Sequence, residues 1–489
     1  MIKKLYKQYQ KIPLAARAGI WFVICTLLQK CIAFITVPIF TRLMPTEEYG
    51  MYSVYLSWYS ILTVFCTLNM HHVIYINNYT KANSEEEKNA TAIPLLSLSF
   101  LITVILFIVY FLFHDFFNSI VGLSTSLVCL LFAQILFDPP INFWTIEQRF
   151  NYKYIALVIR TLTMVILNSV LGILFVWLSS SNQSVARVLS IVIVQMIFGS
   201  ILYIYFCKQG KSFFSVKGWK HALNVELPLI PHSLSIVVLS SSDRIMIKSL
   251  VGAAEAGIYS VAYSAGYIVN VLKVSIVDAL RPWIYQNLKA GKYQDIKKIV
   301  NVILFFVTGI SVVFTAFAPE IIYIMAPEQY YDAIYVIPPV AASSYFTFLY
   351  NIFSIIGMYY EKTKKIMFAS VTGAVLNLGL NAVCIPLFGY IAAAYTTLVC
   401  YVFFSFAHYC IMRKISKSEL DGIKIYDMKI IVILSIFMIV STIGFTFTYN
   451  NPFIRYSILI VVLIVAFIKR KILIMTLKEI NNKKRLMET

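Results

Sequence analysis

The sequence is poor in charge and poorest in acid. Asp, Glu, Lys and Arg make up 13% of its 489 residues, and only 22 residues are acidic. A soluble domain carries about 25% charged residues. That deficit, with an apolar content of 60%, excludes a soluble enzyme, a disordered chain and a secreted disulfide scaffold. Metal-binding patterns are missing too. Cys25, Cys31, Cys66, Cys129, Cys207, Cys384, Cys400 and Cys410 form no CxxC pair and stand beside no histidine at ligand spacing. No disulfide framework, zinc site or other cofactor is therefore expected, and these cysteines read as small core-facing residues. There is no DxD and no HExxH. Gly210-Lys211-Ser212 has Tyr205 where a phosphate-binding loop needs Gly. His71-His72 is a tempting metal pair, but adjacent helical residues point about 100° apart. No cleavable leader is expected either: Lys3, Lys4, Lys7 and Lys11 precede an apolar run too long for a secretory signal.

What the chain has instead is long apolar runs. A helix needs about 20 apolar residues to cross the hydrocarbon core. Fourteen runs qualify, near 18–40, 50–71, 92–113, 119–141, 155–178, 185–207, 225–248, 258–281, 299–318, 333–357, 366–385, 391–412, 429–449 and 452–468. None shows the alternation of a membrane β-barrel. The expected fold is an all-α polytopic membrane protein.

Charge placement gives the orientation. Of 41 Lys and Arg, 33 fall in the N-terminal segment, in every second loop and in the C-terminal tail. The opposite loops carry Glu47, Glu48, Asp115, Glu255, Glu320, Glu328 and Asp332. The positive-inside rule puts both termini in the cytoplasm and favours an even number of spans. The formal charge of +19 is then topology with some attraction to anionic membrane lipids, and no nucleic-acid partner is expected.

The chain also echoes itself. Gly50-Met51-Tyr52-Ser53-Val54 matches Gly257-Ile258-Tyr259-Ser260-Val261 at an offset of 207, and Leu167-Asn168 matches Leu376-Asn377 at 209. Six spans separate the copies, which describes a parallel repeat about an axis along the membrane normal. The expected organisation is two pseudo-symmetric six-helix lobes, 1–210 and 222–412, joined by a basic loop. An extra helix pair and basic cytoplasmic tail occupy 413–489. Two such bundles enclose a cavity suited to alternating access.

Here a family resemblance enters. Arg42-Leu43-Met44-Pro45-Thr46-Glu47-Glu48-Tyr49-Gly50-Met51-Tyr52 resembles the first-loop signature of bacterial polysaccharide flippases. Leu227-Pro228 through Asp243-Arg244 to Gly257-Ile258-Tyr259-Ser260 is similar to the corresponding second-lobe segment. Pro386-Leu387-Phe388-Gly389-Tyr390, followed by Ala392-Ala393-Ala394, resembles the turn before the twelfth span. The family is the O-antigen and capsule (Wzx-type) branch of the multidrug/oligosaccharidyl-lipid/polysaccharide exporter superfamily. The resemblance implies a flippase in the bacterial cytoplasmic membrane that moves an undecaprenyl-pyrophosphate-linked oligosaccharide. Its implied partners are a polysaccharide polymerase and a chain-length regulator. Arg42, Pro45, Gly50, Tyr52, Gly257 and Tyr259 carry the motif as structural residues.

Charges at membrane depth are the candidate functional residues, because each costs about 2.5–3.5 kcal/mol on insertion scales. Lys30 lies near the middle of the first span and Lys273 fifteen residues into the eighth. His232, Ser235, Leu239 and Asp243 share one face of the seventh span, Arg244 and Lys248 another, and Asn270, Lys273 and Arg281 one face of the eighth. Lys30, Lys273, Asp243, Arg244, Lys248 and Arg281 are read as a cationic pathway for a pyrophosphate, against the alternative of internal ion pairs that lock helices. Glu226, His232 and Asp278 are candidate ion-coupling groups. Pro228 and Pro231 should kink or loosen the start of the seventh span. Two other classes compete. A multidrug or cation antiporter would favour an acidic cavity, and a membrane glycosyltransferase or polymerase would need a large exterior loop or an acidic metal site.

Overall fold

The structure is a computed structural model that describes residues 13–464, apart from 83, 211, 212 and 463. Among the described residues there is no β-strand. Hydrocarbon offers no partner for a free amide or carbonyl, so each apolar run closes its hydrogen bonds within itself as a helix. Contacts divide the chain into two compact units, 1–257 and 258–489.

The first unit begins with α1 (Leu14–Leu43), α2 (Thr46–Thr67), the short α3 (Ile74–Lys81), α4 (Glu85–Leu112), the short α5 (His114–Val121) and α6 (Thr125–Phe150). It continues with α7 (Tyr154–Leu178), α8 (Gln183–Gln209), α9 (Val216–Glu226) and α10 (Ile230–Leu250). The helix α11 (Ala253–Lys289) opens in this unit and runs into the second. There follow α12 (Tyr293–Ala316), the short α13 (Ala318–Met325), α14 (Ile337–Tyr359), α15 (Thr363–Phe388), α16 (Ala392–Glu419) and α17 (Met428–Thr448). A further apolar helix, α18, covers Pro452–Val462. Eleven of the described helices are long and apolar enough to cross a membrane, and α2 and α11 are also long. The protein is thus an all-α, multi-pass membrane protein with about a dozen long apolar helices. The remainder of the last apolar run and the basic tail lie outside the described residues, as do Lys3, Lys4, Lys7 and Lys11.

Local chemistry sets the ends of the helices. Ser84, Ser124 and Ser215 each accept a backbone N–H from the first turn of α4, α6 and α9, which satisfies a donor that the helix cannot. Gly389, at φ +76°, follows α15, a conformation that glycine adopts without strain. Pro228 and Pro231 act as their positions suggest. Between α9 and α10 the chain tightens into a 3-10 turn, Leu227–Leu229, because proline lacks the N–H that would continue the α-helical ladder.

Within the first unit α10 packs along α2, α7 lies against α1 and α8, and α6 packs on α8. In the second unit α16 packs against both α14 and α15, and α12 against α14 and α17. The core of the second unit centres on α14, whose residues from Ile337 to Phe346 are all buried.

Candidate functional site

The internal repeat has a structural counterpart. Gly50 in α2 and Gly257 near the start of α11 touch backbone to backbone: a Cβ on Gly257 would stand 3.0 Å from the amide nitrogen of Gly50. A Cβ on Gly50 would collide with the carbonyl of Ala253. Glycine is required at both places because the two helices approach closer than any side chain allows. The neighbouring motif residues are packed. Pro45 precedes α2, and the Arg42 guanidinium donates to the Pro38 carbonyl at 2.8 Å. Tyr52 lies beneath the Arg187 guanidinium, and Tyr259 is fully buried against Tyr263. Glu48 accepts the backbone N–H of Ser184 at 2.6 Å, placing a carboxylate at the positive end of α8.

On α10, Ser235, Leu239 and Asp243 are buried along one face, as the helical period requires, and His232 is half-buried. The Nδ1 atom of His232 has no hydrogen-bond partner among the described residues. Arg244 donates to the Ser240 carbonyl at 3.1 Å, and both Asp243 and Arg244 hold further polar or electrostatic contacts. The Lys248 ammonium lies over the bare Cα of Gly122, at the turn after α5. Glu226 is buried and accepts the backbone N–H of Ile74 at 2.8 Å, capping α3.

Lys30 is half-buried in α1 and holds a polar or electrostatic contact. Lys273, in α11, is 4% exposed; among the described residues it forms no hydrogen bond or ion pair. Arg281 is half-buried, with its Nε unsatisfied. Asp278 is exposed and does not pair with Arg281. Lys30 belongs to one compact unit, and Lys273 and Arg281 to the other. His71 and His72 stand in the turn after α2, not on a helix as the sequence suggested, with ring centroids 4.0 Å apart. No group of three metal-ligating residues exists among the described residues.

Comparison with known proteins places this arrangement. A family profile described as "Polysaccharide biosynthesis protein" matches residues 15–288, more than half of the chain. The chain belongs to that family. A second profile, MatE, matches residues 228–383. An "Uncharacterized membrane protein" of Haemophilus influenzae is 22% identical over 386 residues, 73% of this chain and 87% of the relative. The fold resembles a structure described as "Lipid II flippase MurJ, inward closed conformation" at TM-score 0.69 and 17% identity, over 93% of this chain and 99% of that one. It also resembles an inward-facing multidrug resistance MATE family transporter of the MOP superfamily, at TM-score 0.58 and 14% identity, over 80% and 96% of the two chains. These likenesses are of fold, which the chain shares with a flippase and a multidrug transporter.

For this member of the family, sequence reasoning missed a polar network inside the first unit. Asp138 accepts from Asn142 Nδ2 at 2.6 Å and from Gln195 Nε2 at 3.1 Å. The chain of bonds continues from Gln195 to Gln134 and from there to the Tyr55 hydroxyl, at 3.2 and 2.6 Å. Pro140 removes the N–H that would pair with the Leu136 carbonyl. Tyr203 supplies the replacement donor at 3.0 Å. The signal available in the sequence was Asp138-Pro139-Pro140 within an apolar run, with Gln134 and Asn142 one turn to either side. A second network, in the other unit, joins the buried Asn377 to Thr397 at 3.1 Å and Asn381 to Thr396.

Proposed function

We propose that the chain is a flippase that carries an undecaprenyl-pyrophosphate-linked oligosaccharide across the cytoplasmic membrane by alternating access, for O-antigen, capsule or a related surface polysaccharide. The observation that carries this reading is Lys273, a buried lysine in the middle of an apolar helix with no anionic partner among the described residues. An ammonium at membrane depth is costly, and function is the usual reason for its presence. A pyrophosphate supplies the missing charge, and the ammonium offers it three donors. Family membership and the likeness to a lipid II flippase support a lipid-linked glycan as cargo.

In this reading the segments 1–210 and 222–412 are the two lobes, with both termini in the cytoplasm. Lys30, Asp243, Arg244, Lys248 and Arg281 line the pathway, while Glu226, His232 and Asp278 are the groups to examine for ion coupling. Polymerase and chain-length regulator are the expected partners. Complementation of a flippase-null strain tests the reading: Lys30→Ala and Lys273→Ala should lose surface polysaccharide at normal membrane abundance. Full polysaccharide from both variants would remove the cationic pathway. The MatE profile match favours a second reading, a multidrug or cation antiporter, in which the same variants would change drug resistance instead.

A further inference from the structure

A crevice lies between α6, α7 and α8, apart from the charged groups assigned to transport. It encloses about 450 Å³ and is lined by Trp144, Ala156, Ile159, Thr163, Phe198 and Ile201, with Arg160 as the charged member of the wall. The lining is apolar, and Ile159 and Ile201 are 61% and 58% exposed. Such exposure on a membrane-spanning helix means contact with lipid. Arg160 lies six residues into α7, about 9 Å from the end that carries Arg149 and Lys153.

The guanidinium at this depth is underused. Nη2 donates to Thr145 Oγ1 at 2.7 Å and, at the longer distance of 3.4 Å, to Thr161 Oγ1, and the ring of Trp144 stands 5.0 Å away. The Nη1 contact to the Ile141 carbonyl is long, 3.5 Å, and Nε is buried without any partner. No carboxylate forms an ion pair with Arg160 among the described residues. Asp138 lies within electrostatic range, but its oxygens already accept from Asn142 and Gln195. Arg149 adds a second positive charge within that range. An arginine with an unpartnered Nε, a second cation within electrostatic range and an apolar furrow open to lipid describe a receptor for a phosphate that carries a hydrocarbon chain. Basic pockets between membrane helices bind lipid head groups in this way, and a guanidinium donates charge-assisted hydrogen bonds to phosphate.

We propose that this crevice holds one anionic glycerophospholipid, its phosphodiester on Arg160 and one hydrocarbon chain along Ala156, Ile159, Phe198 and Ile201. The site stands apart from the transport reading. A phosphodiester brings one negative charge, which the Arg160 guanidinium meets; that same cation disfavours a head group with its own ammonium, and Arg149, within electrostatic range, strengthens the effect. A soluble phosphate would gain nothing from the apolar wall.

Native mass spectrometry of the purified full-length chain tests this, with phosphatidylglycerol or phosphatidylcholine added in separate arms. The wild type should retain one phosphatidylglycerol and prefer it to phosphatidylcholine roughly tenfold or more, about 1.4 kcal/mol. Arg160→Gln should abolish the preference, and Arg160→Lys should keep part of it. Ala156→Phe, which fills the furrow and leaves the guanidinium, should lower retention of both lipids. Gel filtration checks that each variant is folded; if Arg160→Gln is not, Arg160→Lys and Ala156→Phe decide. Equal retention of the two lipids by the wild type would overturn the proposal. So would an unchanged preference in Arg160→Gln, displacement by millimolar inorganic phosphate, or exclusive retention of undecaprenyl diphosphate.

Discussion

Gly50 and Gly257, 207 residues apart, pack against each other with no side chain between them, and a Cβ on Gly257 would lie 3.3 Å from the Cα of Gly50. The two positions recognised as copies in the sequence are thus the point where α2 and the start of α11 meet. Gly50→Ala would drive a methyl group into the Ala253 carbonyl, and overpacking of this kind costs about 1–3 kcal/mol. The expected result is a clearly lower melting temperature in detergent. Gly19→Ala, in α1 with open space around it, is the control and should leave the melting temperature unchanged or raise it.

Asp138 should be intolerant of truncation. Asp138→Ala leaves the Asn142 and Gln195 amides without their acceptor, at about 1–3 kcal/mol for a buried donor left unpaired. Asp138→Asn retains one acceptor oxygen and should lose less. Thermal melting of the two variants beside the wild type, in the same detergent, gives the order directly; equal stability of all three would show that the network contributes nothing.

Much of the fold was legible because hydrocarbon leaves the backbone a single solution. The runs near 18–40, 155–178 and 429–449 each became one helix, since a chain of that length has no other way to pair its amides in lipid. The glycine repeat and the loosening at Pro228 were also visible, being local consequences of backbone geometry. The short helices α3, α5, α9 and α13 were not seen, because eight to eleven residues leave no span-length signal. The Asp138 network escaped for another reason. Its donors come from α6 and α8, so no local pattern records it. Arg455 is similar: a lone basic residue in the sequence, it pairs with Glu320, 135 positions away, in the second unit.

The stability of the second unit should depend on pH through Asp427. Burial acts to raise this carboxyl, but the Lys297 ammonium at 3.2 Å and the backbone amides of Ile430 and Lys429 outweigh it and hold it below the usual carboxylate range. A carboxyl lowered on folding stabilises above its unfolded value of about 3.9, and that contribution is lost as pH falls through the folded value. The pair is partly exposed, so its worth is below about 1 kcal/mol. Asp427→Asn should melt slightly below the wild type at neutral pH, with the gap closing under acid. A gap that widens at low pH would reverse the assigned sign.

A lipid-linked glycan crossing the membrane would bring its charge to Lys273. The most direct measurement is flipping of undecaprenyl-pyrophosphate-linked oligosaccharide in proteoliposomes, read by accessibility of the glycan to an external glycosidase. The wild type should flip it, Lys273→Ala should lose most of that activity and Lys273→Arg should recover part, because charge matters more than fork geometry in this position. Flipping by Lys273→Ala at the wild-type rate, or none by the wild type alongside export of an organic cation, would contradict this reading.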